Sequence, residues 1–595
     1  MKHFKYILLG MTLALSTSCQ KDFLQLTPDS AITDENFFNT VKDLETYTNG
    51  LYGQIRASYT DLFSDNISLS NNTQNADVRT MLSGTLSPSN ATGWDNWSEL
   101  REINYMLDHV EKTVGEKELI DHYVGIARFF RANFYYNMVK RYGDVPWYDH
   151  VIGSKDDEQL YKGQDPREQV VEHIMEDLDF AVNHIKADLT DNTYITKWAA
   201  LTLLARIALH EGTFRKYHTE LNLQSSADAF LQKAVDASAQ IINEGGFEIS
   251  GAGAQGFSAL FSSNNLSDNK EVIYLQKNSK DLGVANNTHT VLDWQWALSA
   301  DLADEFLMLD GTPFTDQKDY QKKDFIEMFA NRDPRLAETV MPAGFSNSQA
   351  GNPYITRPEF GGLLQLKFYP RDPALRGGWE LNYTDLPIFR YAEVLLINAE
   401  AKAELSTLSQ GDLDATVNKL RQRVDMPKLS LAKANSMVDQ HLAKKYPLVA
   451  GANKGVLLEI RRERRVELAC EGFRFDDLYR WKAGELLAQA SSGMYVPALG
   501  ALDVTGDGKA DIAILKQGDE SPLDGLPAEI KESLPKFFID VNSFYLSEGN
   551  SGRIMFNDDK VQRPRNFDAS KYYYFPIPIE QTVLNTNLKQ PEGWN

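Results

Sequence analysis

The sequence predicts a mainly α-helical protein: a tetratricopeptide-like helical-repeat scaffold with long irregular insertions. Three observations carry this. Apolar residues recur at helical spacing through most of residues 97–245, with alanine and aromatic knobs between them. Residues 246–386 lose that period and are rich in Gly, Asn and aromatic residues. The helical pattern resumes from Pro387, although no strict repeat period runs through the chain. At 595 residues the chain exceeds what one ordinary core supports. Its 42% hydrophobic and 24% charged content are those of a globular protein.

Taken in order, the chain opens with an address. Lys2, His3 and Lys5 precede an apolar run, Tyr6 to Leu15, which is shorter than the roughly 20 residues needed to span a bilayer. Ser16, Thr17 and Ser18 follow, then Cys19, so residues 1–18 read as a secretory signal. A Cys directly after small residues resembles a lipobox with Cys19 as the lipidated first residue, except that Leu15 stands four positions ahead of it rather than three. Acylation there would anchor the chain without a spanning helix. The alternative is a plain signal cut elsewhere.

Asp34 is placed to cap a helix through Phe37, Val41, Leu44 and Tyr47, and Ser64 to Gly93 reads as loop. Helices are predicted over Trp97–Val114, Tyr123–Tyr142, Pro166–Ile185, Thr196–Glu211 and Ala227–Asn243. The second stops at Gly143-Asp144-Val145-Pro146, a breaker followed by a proline. Further helices are expected over Asp301–Asp310 and Pro387–Leu405.

Glu459 to Trp481 is the most distinctive stretch. Glu459, Glu463, Glu467 and Glu471 stand at every fourth position, with Arg461, Arg462, Arg464 and Arg465 between them. On an open helix each such pair is worth only about 0.2–0.5 kcal/mol, too little to demand the pattern. The row is either a carboxylate metal or acid/base site or an ion network locking this helix to its neighbours. A di-iron bundle would want Glu-x-x-His on facing helices, and no His lies here.

Four runs resemble the SusD-like (RagB/SusD) family of nutrient-binding outer-membrane lipoproteins. They are Ile460 to Trp481, Arg131-Ala132 through Val145-Pro146, Arg390-Tyr391-Ala392-Glu393 through Glu400-Ala401, and Tyr572-Tyr573-Tyr574-Phe575-Pro576 to Leu588. The resemblance implies a single domain over residues 19–595, with an N-terminal helical part (23–245), a ligand-binding insertion (246–386) and a C-terminal helical and closing part (387–595). It also implies capture of an oligosaccharide and a TonB-dependent outer-membrane transporter as partner. Gln20-Lys21-Asp22 resembles the short signal that sends some such lipoproteins to the outer face of the outer membrane.

Sugars present C–H faces and hydroxyl edges, so a protein that captures them wants flat aromatic rings beside amides and charged groups. Asp293-Trp294-Gln295-Trp296 fits, preceded by Asn286, Asn287 and His289. In an extended segment Trp294 and Trp296 would point to one side, about 6.6 Å apart, as a double platform. Core packing is the alternative. Trp94 and Asn96, at the end of the polar loop, are a second candidate pair; Trp379, after Gly377-Gly378, and Tyr59 complete the set.

Asp503, Thr505, Asp507 and Asp511, with Gly508 for the turn, resemble the front of a calcium loop, but Ile514 replaces the closing Glu. A structural Ca²⁺ or a Gly-Asp turn whose carboxylates cap amides are both open there. No cofactor for activity is implied. A formal net charge of −22 disfavours nucleic acid as a partner. Two rival functions stay in view. A glycoside hydrolase needs two carboxylates about 5–10 Å apart around an aromatic subsite. A repeat scaffold would bind only protein.

Overall fold

The computed structural model describes residues 37–68, 76–94, 96–188, 191–541, 543–556 and 565–594. Cys19 and Asp34 lie outside them. The first described helix, α1 (Val41–Leu51), is capped by Thr40: its hydroxyl accepts from the Asp43 N–H while the Asp43 carboxylate accepts from the Thr40 N–H. Next come α2 (Trp97–His109), α3 (Lys117–Tyr142), α4 (Arg167–His184), α5 (Lys197–Tyr217) and α6 (Ala227–Glu244). All five predicted helices of this region are present, and two run longer than their apolar period because buried residues continue around the whole helix. Within the stretch read as loop, Ala76–Leu82 is also helical.

Helices α3 and α4 pair, as do α5 and α6. Ala199, Ala200, Ala205 and Ala208 of α5 are fully buried, small enough for a neighbouring backbone to approach. The chain then enters the irregular region and returns through β1 (Val272–Gln276), which pairs antiparallel with β2 (Leu386–Arg390). Residues 386–390 are therefore strand, and the predicted Pro387–Leu405 helix begins only at Tyr391, as α7 (Tyr391–Glu404). Helix α7 packs on α5, α6 and α8 (Lys454–Glu467). After a turn at Gly472 (φ +82°), α9 (Arg474–Arg480) packs on α5. The Asp301–Asp310 helix is shorter than expected, Ala300–Glu305.

Two three-stranded sheets follow within residues 492–556, which the sequence reading treats only as helical and closing chain. One large core runs through the paired helices and the closing segment around Tyr573 and Ile577. A second lies under the insertion and the small sheets. Among the described residues no helix is long and apolar enough to cross a membrane.

The glutamate row resolves as an ion network. Glu463 accepts from Arg335 (2.7 Å) and Arg421 (2.8 Å). Glu467 accepts from Arg335 (2.8 Å), Arg390 (2.7 Å) and Arg423, and Glu471 from Arg390 and Lys367 (both 2.7 Å). Arg390 and Arg423 both reach Glu271 at the start of β1. One helix face thus ties the scaffold to the insertion.

Candidate functional site

The insertion presents its aromatic side chains at the ends of two loops. The first follows a one-turn helix, Thr290–Asp293, closed by Trp294 N–H to the Thr290 carbonyl (2.9 Å) and Trp296 N–H to the Val291 carbonyl (3.1 Å). Gln295 between them takes a left-handed backbone (φ +57°). That turn sends the two tryptophans in different directions, so the double platform expected of an extended segment does not form. Trp294 is 44% exposed and Trp296 only 5%.

Trp296 instead packs with Val291, Leu292, Met341, Leu364 and Leu366 and stacks parallel to Tyr59 (6.0 Å, 3°). Tyr59 is half-buried, its hydroxyl pKa raised by burial. Trp296 is thus a packed side chain, with Tyr59 half-buried against it. The ring that meets Trp294 is Trp379, 57% exposed and stacked on it at 5.4 Å with 12° between planes.

Asn382 sets the second loop. Its Nδ2 donates to the Gly378 carbonyl (2.9 Å) and its Oδ1 accepts from the His289 N–H (2.6 Å). Asn286 and Asn382 also form an antiparallel bridge, and Glu380 N–H donates to Asn287 Oδ1 (2.5 Å). Gly378 takes φ +100°, a conformation an L side chain resists, so the chain reverses just ahead of Trp379. Asn286 and His289 are buried and act as positioning groups.

Beside the tryptophans lies a polar cluster that sequence reasoning missed, apart from Asp293. The Tyr369 hydroxyl accepts from Arg376 Nη1 (2.5 Å) and Asn347 Nδ2 (3.2 Å) and donates to Asp293 Oδ1 (3.2 Å). Burial raises its pKa, so it stays a neutral donor. Nothing local marks Tyr369, Arg376 or Asn347, because the chain brings them to Asp293 only on folding.

Two rings 5.4 Å apart leave no room for a sugar between them, since a slot with a C–H contact on each side needs about 7–8 Å. The pair offers its outer faces, with the Asp293, Tyr369 and Arg376 edge alongside for hydroxyls. The Trp379 loop also exposes Leu381, and the Ser279–Val284 turn exposes Leu282 and Val284.

The other sequence candidates sit elsewhere. Trp94, expected at a ligand surface, is 5% exposed and wedged edge-on against Trp97 (5.5 Å) and Tyr142 (4.8 Å). It packs because the polar loop ends by folding back on α2 and α3. Asn96 is exposed at the start of α2 without capping it. Neither comes to the Trp294 and Trp379 loops.

The Asp503–Asp511 loop is the turn between strands Gly500–Leu502 and Ile512–Leu515. The Asp503 carboxylate accepts from the N–H groups of Thr505, Gly506 and Gly508 (2.6–3.0 Å), Asp511 from those of Val504 and Thr505 (2.9 Å), and Asp507 from Lys509. Burial pushes Asp503 up slightly, and those amide donors outweigh it and bring its pKa below the usual range. Among the described residues no group of three or more His, Cys, Asp or Glu side chains is placed to hold a metal ion. These amide caps are those of a Gly-Asp turn.

Residues 262–594 match the family model described as the SusD family, and residues 22–209 one described as starch-binding associating with outer membrane. SusD-like protein P2 of Formosa agariphila is 24% identical over 505 residues, covering 81% of this chain and 92% of the relative. SusD-like protein P38 of the same organism is 23% identical with the same coverage. A solved SusD-like carbohydrate binding protein of Bacteroides fragilis superposes with a TM-score of 0.68 at 20% identity, covering 93% of this chain and all of that one. A second SusD-like structure from that organism gives 0.67 at 22%, covering 94% and 98%.

Proposed function

The chain belongs to the SusD family, and on that premise we propose that it captures an oligosaccharide at the cell surface, without catalysis, for uptake by a TonB-dependent outer-membrane transporter. The observation that carries this reading is the exposed Trp294 and Trp379 pair beside the Tyr369 cluster. Two indole faces lie against a sugar's C–H surface at little conformational cost, because the Asn382 and Asn286 bonds already hold their loops. Asp293, Tyr369 and Arg376 then select hydroxyl positions.

The description of the family matched by residues 22–209 supports association with the outer membrane. Attachment through acylated Cys19, facing outward, completes the reading. The helical scaffold supplies the transporter side, leaving the insertion free for ligand.

A glycan array followed by calorimetry tests it, with Trp294→Ala/Trp379→Ala as the control. Binding of an oligosaccharide, unchanged in chain length on recovery and lost in a double variant that melts normally, is the expected result. Binding of peptides but no glycan, or release of shortened sugars, would overturn it. Co-purification with a TonB-dependent transporter tests the partner.

A further inference from the structure

A groove crosses the other functional-looking face of the scaffold, and it owes nothing to the tryptophan pair. Its floor is one face of α3, where Asn133, Tyr136, Asn137 and Lys140 follow at helical spacing. The segment 54–64 forms one wall and the turn from Glu471 into α9 the other. A cavity of about 340 Å³ there continues into a second of about 300 Å³, the two sharing Phe63, Asn137, Lys140, Phe475 and Asp476. Together they fall in the size range of small-ligand sites.

Most of the groove's ionic groups are already paired. Lys140 pairs with Asp476 (2.6 Å), Arg206 with Glu393 (2.6 and 2.7 Å), and Glu471 with Arg390 and Lys367. Asp61 accepts from Asn66 Nδ2 and from the Cys470 and Gly472 amides. At the two ends, Arg56 and Arg141 bond to the carbonyls of Gly53 and Thr92. Away from the exposed Arg56 guanidinium, what the groove leaves open is neutral.

Tyr136 is only 6% exposed, yet its hydroxyl makes no hydrogen bond among the described residues; its ring is met by Lys140 (4.3 Å) and His210. His210, which lines the second cavity, is buried with Nδ1 unpartnered. Among the described residues the amides of half-buried Asn133 and exposed Asn137 make no side-chain hydrogen bond, while Phe63 and Phe475 supply apolar walls. The Tyr136 ring is buried while its hydroxyl stays open to the groove, a donor and acceptor for a ligand or water.

We propose that this groove is a second carbohydrate site that takes one neutral pyranose unit. Its hydroxyls complete Tyr136, Asn133 and Asn137, and its C–H face lies on Phe63 or Phe475. A charged sugar is disfavoured because its charge would find no unpaired partner inside.

Saturation-transfer NMR of the purified protein with D-glucose, D-galactose, D-mannose and D-glucuronate tests this. Transfer is expected to at least one neutral hexose and not to glucuronate. It should persist in Trp294→Ala/Trp379→Ala, which separates this site from the capture platform. Tyr136→Phe should weaken hexose binding about fivefold, one hydrogen bond's worth, and melt at the same or a higher temperature because the deleted hydroxyl has no partner. Asn137→Ala should weaken it similarly. No transfer to any hexose, transfer abolished only by the tryptophan variant, or a Tyr136→Phe protein that melts lower while binding normally would each overturn the proposal.

Discussion

Trp294 and Trp296 stand two residues apart and do opposite work. Trp294→Ala or Trp379→Ala removes an exposed ring, so stability should stay within about 0.5 kcal/mol of the parent. Oligosaccharide affinity should fall by about 1.5–3 kcal/mol, roughly ten- to a hundredfold. Trp296→Ala empties a packed site and should cost about 3–5 kcal/mol of stability. Thermal melts beside calorimetric titrations separate the two classes. Equal destabilisation by all three would mean the exposed rings are structural. The tryptophans were legible as residues but not as a pair. Pairing Trp294 with Trp296 assumes extended backbone, whereas the helical turn ending at Asp293 and the left-handed Gln295 rotate them apart. The true partner, Trp379, reaches Trp294 only through the Asn382 and Asn286 contacts.

Helix α8 shows the opposite balance. Its glutamate row already reads as more than an exposed helix face, and folding supplies the arginines from other elements: Arg335, Arg390, Arg421 and Arg423. Burial pushes the Glu467 carboxyl up, and Arg423, Arg390 and Arg335 outweigh it and hold its pKa well below the usual range. Glu467→Gln leaves those guanidinium groups without their shared anion and should cost about 3–5 kcal/mol by denaturant titration. Lys42→Gln, which breaks the exposed Lys42–Glu45 pair, should change stability by less than about 1 kcal/mol. A comparable loss from both would refute the network as the source of the effect. The Asp503–Asp511 turn belongs to this scale too. Because its carboxylates cap amides, added Ca²⁺ or EDTA should leave the melting temperature unchanged, and a calcium-dependent rise would show a bound metal there instead.

Across the whole molecule, buried ionisable groups set the response to acid. Burial, with Lys186 adding to it, lowers His122 to about 4, and burial foremost, then Arg167 and Lys140, puts His210 well below its usual value of 6.5. An unfolded chain protonates these histidines first. Their contribution is therefore complete above pH 6.5 and declines as pH falls toward the folded values. Burial pushes Glu400 up, but Arg480, with Arg464 and Arg461, holds it at about 2; its contribution is complete above pH 4.5 and is lost as pH falls toward 2. Melting temperatures should be flat from neutrality to about pH 9, decline gently below about 6.5 and fall steeply below about 4.5. His210→Gln should flatten the first decline, and an unaltered profile would exclude His210 as its source. The scaffold was open to reading because helical periodicity and the Gly143 and Gly472 breakers are local properties of the chain, written in consecutive residues. The two small sheets were not, since short strands pair only with distant partners. By itself the sequence determined a helical scaffold, an irregular insertion, the family motifs and a glutamate row too regular for solvent. Only the tertiary structure decided which tryptophan faces water, which arginines neutralise those glutamates and where unpaired polar groups converge, because exposure and ion pairing depend on segments that meet only when the chain has folded.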